Sequence, residues 1–479
     1  MDNSMKYCLL HLGCQMNQSD AERVRTVIEA LGYELTEAEA EADLLGIVAC
    51  SVRQRAIDKA YARIRMWNSW KERRSLLTFV TGCILPADRE KFLKLFDLVF
   101  DITEIPQLPD MIRQYGIVTP IEMNNVIPAD SLHDAAKGFW RIMPRYSSRF
   151  EAYVPIQNGC DKFCTFCAVP YTRGQEVSRP SEEILQEVAG LVDQGYKSIT
   201  LLGQNVNSYG LDRKGREITF PDLLRGIGEL GSSPDRDFRV YFTSPHPRDM
   251  TEEVVRVIAR HPCLAKQIHL PLQSGDDRIL IRMNRNYMVD QYRETVSMIR
   301  SILPQATLFT DIIVGFSGET EAEFENTRKA MREFQYNMAY VAMYSPRPGA
   351  ASSRWPDDVP HEEKNRRLHV LSEELARTSG AYNRTMIGKE YRVLVEGPDR
   401  KQGFLSAKTE GRIIVRFPSA DGSLIGQFTT VKVTAAASLS VEGELVGAAH
   451  IHDVRTGVSP RSPSVSSTPS RIPARTSKT

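Results

Sequence analysis

Short apolar runs alternate with stretches of helical period from Tyr7 to Tyr344, and no other feature of the chain constrains its fold as strongly. A strand, an amphipathic helix and a second strand cannot close as a tight hairpin. The helix is a crossover, and the strands that it joins lie parallel. In the first hundred residues the apolar runs are 7–12, 44–49 and 76–81. Val24, Val27, Ile28 and Leu31 recur on one helical face between the first two, after Ser19 and Glu22 at capping-box spacing. Ile57, Tyr61 and Ile64 share a face after the second run. A less patterned connection with several prolines, 104–148, leads to six further runs at 153–156, 198–202, 238–242, 267–270, 308–314 and 340–344. Helical stretches at 181–194, 289–302 and 319–334 separate them. Six βα units predict a partial α/β barrel with its site at the C-terminal ends of the strands. From about Ser379 the helical pattern stops, and short β-type runs (391–395, 413–417, 430–433) follow between Gly, Pro and Asp turns.

The predicted class is therefore α/β, in three ordered units: a parallel-sheet domain at 5–120, a partial (βα)6 barrel at 146–376 and a small β-barrel at 379–446. For 479 residues, more than one core is expected. Residues 454–479 are rich in Ser, Pro and Arg, lack any acidic side chain, and are expected to be disordered. No apolar stretch approaches the ~20 residues of a membrane helix, and the N-terminus carries no apolar signal core. A cytoplasmic address and no membrane contact are expected. A net charge of +1 makes no whole-chain claim on nucleic acid, so any RNA affinity has to be local. One candidate is the helix at 54–74, with Arg55, Lys59 and Arg63 at four-residue spacing, although such a stripe is more often plain solvated surface.

Eight cysteines in a chain of this size do not suggest a disulfide framework. Cys14, Cys50 and Cys83 each stand just past an apolar run. In a parallel sheet those ends share one edge, so the three thiols can converge and hold a metal or an iron–sulfur cluster. A single such cysteine would be read as a small buried hydrophobe, which is the reading for Cys8 and Cys263. Three at equivalent positions favour a metal centre. Cys160, Cys164 and Cys167 crowd onto one loop after the first run of the second unit. A zinc site would normally take four ligands. A bacterial ferredoxin would show a further cysteine soon downstream, and none follows before Cys263. Three thiolates on a cubane leave its fourth iron open to a small molecule.

The spacing Cys160-x3-Cys164-x-Phe166-Cys167 resembles the radical-SAM signature, aromatic residue included. Over about residues 5–446 the chain is similar to the methylthiotransferase family. The matching stretches include Leu12-Gly13-Cys14-Gln15-Met16-Asn17, Cys50-Ser51-Val52-Arg53 and Val169-Pro170-Tyr171-Thr172-Arg173-Gly174. Others are Leu202-Gly203-Gln204-Asn205-Val206-Asn207-Ser208-Tyr209, His269-Leu270-Pro271-Leu272-Gln273-Ser274-Gly275 and Thr310-Asp311-Ile312-Ile313-Val314-Gly315-Phe316. Tyr344-Ser345-Pro346-Arg347-Pro348-Gly349 is the last. The nearest branch methylthiolates isopentenyl-adenosine beside the tRNA anticodon. Three departures stand out: Val48-Ala49 ahead of Cys50 in place of Asn-Thr, Ile84-Leu85-Pro86 after Cys83, and Ser317 where proline is common.

The resemblance implies two [4Fe-4S] clusters, one on Cys160, Cys164 and Cys167 and one on Cys14, Cys50 and Cys83. It implies S-adenosyl-L-methionine as both radical source and methyl donor, tRNA as substrate, a low-potential electron donor, and a C-terminal TRAM RNA-binding barrel. The hydrogen on adenine C2 is neither acidic nor a leaving group, so a cofactor has to carry the hard step. Gln204, Asn205, Gln273 and Ser274, just past barrel strands, are candidate contacts for S-adenosylmethionine, and so is Arg285 through its carboxylate. Loop capping would account equally well for them. A monomer is expected. The same chemistry on threonylcarbamoyl-adenosine or on a ribosomal-protein aspartate is the nearest alternative. A non-catalytic iron–sulfur or zinc RNA-binding protein is the alternative from another class, and the intact Cys160 loop argues against it.

Overall fold

The computed structural model describes residues 5–115 and 135–446. The tail at 454–479 and residues 116–120 of the first expected unit lie outside the described residues. The first unit is a parallel sheet of β1 (Lys6–His11), β2 (Glu34–Leu35), β3 (Leu44–Cys50), β4 (Leu77–Cys83) and β5 (Leu98–Val99), in the order β2-β1-β3-β4-β5. Every residue of β3 and β4 is buried. Helices cover both faces, so these strands read as continuous apolar runs and not as alternations. Val24, Val27 and Ile28 of the helix Gln15–Ala30 fill one face, and Ile57, Ala60, Ile64 and Trp67 of the helix Gln54–Lys71 fill the other.

Ser19 does not start the first helix, as its capping-box spacing had suggested. Cys14 is the N-cap, and its backbone N–H donates to Asn17 Oδ1 at 3.4 Å. Ser19 lies fully buried inside the helix, where its hydroxyl donates to the Tyr153 carbonyl of the next unit at 3.2 Å. That helix is therefore an interface element. Arg23, also fully buried, stands 3.9 Å from Glu187 and over the rings of Phe139 and Trp140.

The central unit contains the six expected strands: β6 (Glu151–Pro155), then, beyond a small hairpin of β7 (Gln157–Asn158) and β8 (Val177–Ser178), β9 (Ser198–Leu202), β10 (Arg239–Phe242), β11 (Gln267–His269), β12 (Thr307–Val314) and β13 (Met338–Met343). They form two three-stranded parallel sheets. A Val240–Leu264 bridge and the Ala265 N–H to Val240 carbonyl bond join the two into one open barrel. Ile199, Leu201, Val240, Phe242 and Ile312 face the core under the helices. Strand alternation turns Thr200, Tyr241, Asp311 and Tyr340 into the lumen.

The helix His361–Arg384 runs through the division expected near Ser379. Ser379 and Asn383, both inside that helix, donate to carbonyls of Ser438 and Ala437 in the last unit. That unit is a closed barrel, β14 (Glu390–Pro398), β15 (Phe404–Thr409), β16 (Ile414–Pro418), β17 (Phe428–Ala436) and β18 (Ser440–Leu445), in the order β14-β15-β16-β18-β17. Val393, Val415, Phe417 and Val431 fill it. Among the described residues, no helix is long and apolar enough to cross a membrane.

Candidate active site

Parallel pairing sets Cys50 and Cys83 opposite one another as the last residues of β3 and β4. Cys14 comes to the same edge from the turn after β1. Gly13 is required there, because a Cβ on it would stand 2.9 Å from Cys50 Cβ and 2.4 Å from Asn17 Oδ1. Asn17 lies between the cysteines: its Oδ1 accepts from Cys14 Sγ at 3.3 Å, and its Nδ2 donates to the Ala49 carbonyl at 2.8 Å. The Cys83 side chain draws the Cys50 thiol down to about 7, and Cys83 itself is held above the ordinary thiol range. The pair shares its protons unequally because the Cys83 thiol hydrogen-bonds the Cys50 sulfur, which favours the Cys50 thiolate and keeps the proton on the buried Cys83.

The second triad sits on the loop between β7 and β8. Gly159 opens that loop at φ +77°, and a Cβ on it would fall 1.9 Å from the Gln175 carbonyl oxygen. Cys160 N–H donates to the Gly174 carbonyl at 3.2 Å and closes the loop's base. The turn at 282–285 clamps its top: Thr165 Oγ1 donates to the Arg282 carbonyl at 2.8 Å, and Asn284 Nδ2 to the Phe163 carbonyl at 3.0 Å. Phe166 anchors the loop edge-on against Phe316. Burial pushes the Cys160 thiol up to about 11, so a thiolate here needs a cation to hold its charge.

Among the described residues, no three His, Cys, Asp or Glu side chains close on a point tightly enough for a single metal ion. An iron–sulfur cubane is wider than an ion, and its irons deprotonate the thiols that bind them. Two open cysteine triads with backbone and guanidinium N–H groups aimed at their sulfurs suit such a group. The Val169 N–H donates to Cys167 Sγ at 3.5 Å and Arg285 Nη1 to Cys164 Sγ at 3.2 Å.

A cleft of about 670 Å³ opens between the units. Cys14, Cys50 and Cys83 line it on one side, and Gln204, His269, Asp311 and Tyr340 from the barrel strand ends line it on the other. Of the five polar residues expected as contacts for S-adenosylmethionine, Gln204 thus faces the N-terminal cysteines. Asn205 donates to Asp249 at 3.2 Å, and Asp249 also holds Lys162 of the cysteine loop at 2.6 Å. Gln273 is buried at φ +69° and bridges by its backbone to Asp311 and Ile313. Ser274 Oγ is engaged with Thr327 and the Asp276 N–H, which is the turn-forming role. Arg285 is buried, and its guanidinium donates to Cys164, Tyr287 and the Pro271 carbonyl.

Two arginines at the site were not singled out by sequence. Arg412, one of several basic residues in the last unit, sits at the β15–β16 tip with φ +57°. It enters the barrel lumen, donating to Thr200 Oγ1 at 2.9 Å and lying 4.0 Å over the Tyr241 ring, and it lines the cleft. Arg173, visible only as part of a motif, ends the short helix Val169–Arg173 and donates through Nε to Cys83 Sγ at 2.8 Å. Neither contact has a local signature, because each joins residues far apart in the chain.

Known proteins match all three units. The radical SAM superfamily matches residues 154–331, the uncharacterized protein family UPF0004 residues 6–102, and the TRAM domain residues 384–446. A tRNA-2-methylthio-N(6)-dimethylallyladenosine synthase of Vibrio vulnificus (strain YJ016) is 37% identical over 469 residues, covering 95% of this chain and 96% of that protein. One of Coxiella burnetii (strain RSA 331 / Henzerling II) is 37% identical over 440 residues, covering 90% and 98%. Among solved structures, apo OxsB, a cobalamin-dependent S-adenosylmethionine radical enzyme, superposes with a TM-score of 0.50 at 12% identity, over 78% of this chain and 55% of that one. At that identity the likeness is one of fold.

Proposed function

Since the chain belongs to the tRNA-2-methylthio-N(6)-dimethylallyladenosine synthase family of the radical-SAM superfamily, we infer that it replaces the C2 hydrogen of N6-isopentenyl-adenosine in tRNA, beside the anticodon, with a methylthio group. The observation that carries this reading is the cleft itself, where three cysteines of one unit face the strand ends of a radical-SAM barrel. Cys160, Cys164 and Cys167 are assigned to one [4Fe-4S] cluster and Cys14, Cys50 and Cys83 to another. When bound, the first would supply one-electron cleavage of S-adenosylmethionine, driven by a low-potential donor, and the second the sulfur.

The chain's own residues then have three tasks. The turn at 282–285 keeps the loop cysteines at the mouth of the barrel. Met16 packs on Tyr153 and Leu202, and so holds the N-terminal edge over the lumen. Gln204, Asp311 and Tyr340 border the space left for the base, with Tyr340 offering a half-exposed ring for stacking. We assign the units to 5–120, 146–376 and 379–446, with the last contributing to tRNA binding and the whole acting as a monomer.

Mass analysis of tRNA nucleosides tests this directly. Cells lacking the protein should accumulate N6-isopentenyladenosine without its 2-methylthio derivative, and restoring the chain should return it. Persistence of the 2-methylthio nucleoside would refute the assignment. Accumulation of unmodified threonylcarbamoyl-adenosine instead would move the chain to the neighbouring branch.

A further inference from the structure

Arg173 belongs by chain to the cysteine loop of the central unit, yet its side chain leaves that unit. It lies six residues past Cys167, and its side chain is 2% exposed. Nε donates to Cys83 Sγ at 2.8 Å, Nη2 to Asp20 Oδ2 at 2.6 Å and Nη1 to Asn158 Oδ1 at 3.0 Å. Asn158 immediately precedes Gly159-Cys160, and the Gly174 carbonyl next to Arg173 receives the Cys160 N–H. One guanidinium therefore holds both flanks of one cysteine loop and a sulfur of the other triad.

We propose that Arg173 is the positioning residue that sets the reduction potential of the N-terminal cluster and its place relative to the radical-forming loop. This rests on the reading that Cys14, Cys50 and Cys83 hold an iron–sulfur cluster. A tie between two units needs only the Asp20 and Asn158 bonds. The bond to Cys83 is not required for such a tie, and it places a positive donor on a cluster-binding sulfur. N–H···S bonds and nearby positive charge stabilise the more negative, reduced state of a cluster and raise its potential. Burial strengthens the effect, because little water is present to screen it. The planar fork serves three acceptors in fixed directions, which a lysine ammonium on a flexible stem does not. Arg285 stands in the corresponding relation to Cys164. Each triad thus carries one buried guanidinium on one sulfur.

The test uses the full chain with Cys160, Cys164 and Cys167 all changed to alanine, so that only the N-terminal triad can hold a cluster. After anaerobic reconstitution, its midpoint potential is read by potentiometry with electron paramagnetic resonance. Arg173→Gln is combined with Asp20→Asn, so that no buried carboxylate is left unpaired. That variant should hold the parent's iron at a more negative midpoint. Asp20→Asn alone keeps the guanidinium on the sulfur, and its midpoint should stay at or above the parent's. Arg173→Lys should fall between the parent and the glutamine variant. A midpoint equal to the parent's, in the glutamine variant or, if that fails to assemble, in the lysine variant, overturns the proposal. A parent chain that binds no iron overturns the cluster reading beneath it and not the role of Arg173.

Discussion

Glu176 lies nine residues past Cys167, accepts a bond from Ser208, and is pushed up to about 7, chiefly by burial. The native state holds that proton more tightly than the unfolded chain, where the carboxyl titrates near 4.5. The stabilisation is complete below pH 4.5 and is lost as pH rises through about 7. Glu176→Gln should therefore match the wild-type Tm at the acid end of that window and exceed it at the neutral end. Calorimetry across the window checks this, and a constant difference would show that the carboxyl is not raised. The cysteines allow a sharper test. Reconstituted protein should hold about eight irons, and changing Cys14, Cys50 and Cys83 together to alanine should leave about half with S-adenosylmethionine cleavage intact. Cys164→Ala should keep the N-terminal iron and form no deoxyadenosine, since no spare thiol lies on that loop. Deoxyadenosine at the wild-type rate from this variant would remove the radical-SAM assignment.

The N-terminal sheet depends on one close fit, the Phe79 ring over Gly46, where a Cβ on the glycine would lie 2.0 Å from the ring. Phe79→Ala would open a cavity over β3 and β4, on the sheet face covered by the helix Gln15–Ala30, and should cost about 3–5 kcal/mol in the denaturant transition of that unit. The β15–β16 hairpin depends on another. Gly411 meets Thr307 at the base of the open barrel: its carbonyl accepts from Thr307 Oγ1 at 2.8 Å, and a Cβ would stand 2.6 Å from Thr307 Cγ2. Gly411→Val should push the tip away and take Arg412 off Thr200 and Tyr241, while the filling of the C-terminal barrel itself is untouched. Iron content should be unchanged, tRNA modification should fall, and proteolysis between the units should quicken. A variant with full modification activity would show that the docked tip is dispensable.

For the molecule as a whole, charge balance limits how RNA can be held. Several basic residues of the last unit are already paired: Arg392 with Asp237, Arg416 with Asp399, Lys401 with Glu442 and Lys408 with Glu396. Ending the chain after Arg384 keeps the long helix whole and removes the barrel. Binding of tRNA should weaken, and its dependence on salt should become shallower, because fewer phosphate counterions are released. An equal salt slope for the two forms would place the RNA contacts elsewhere, with the exposed Arg55 and Lys59 of the basic helix as the next surface to test.

Hydrophobic period is a local property, and it was enough to locate β3, β4, all six barrel strands and the change to β-type runs near the C-terminus. Cysteine position relative to those runs was enough to bring Cys14, Cys50 and Cys83 to one edge, because a parallel sheet puts successive strand ends on the same side. Local pattern misled at two places: the capping-box spacing at Ser19 and the apparent end of the helical pattern at Ser379 both fall inside helices, where the two hydroxyls bond carbonyls of a neighbouring unit. The contacts of Arg173 with Cys83 and of Arg412 with the barrel lumen lay beyond any pattern in the chain. An arginine carries the same charge and the same local propensity whether it faces water or a buried sulfur. Which of these it meets is decided only when segments distant in the chain pack together and bury it.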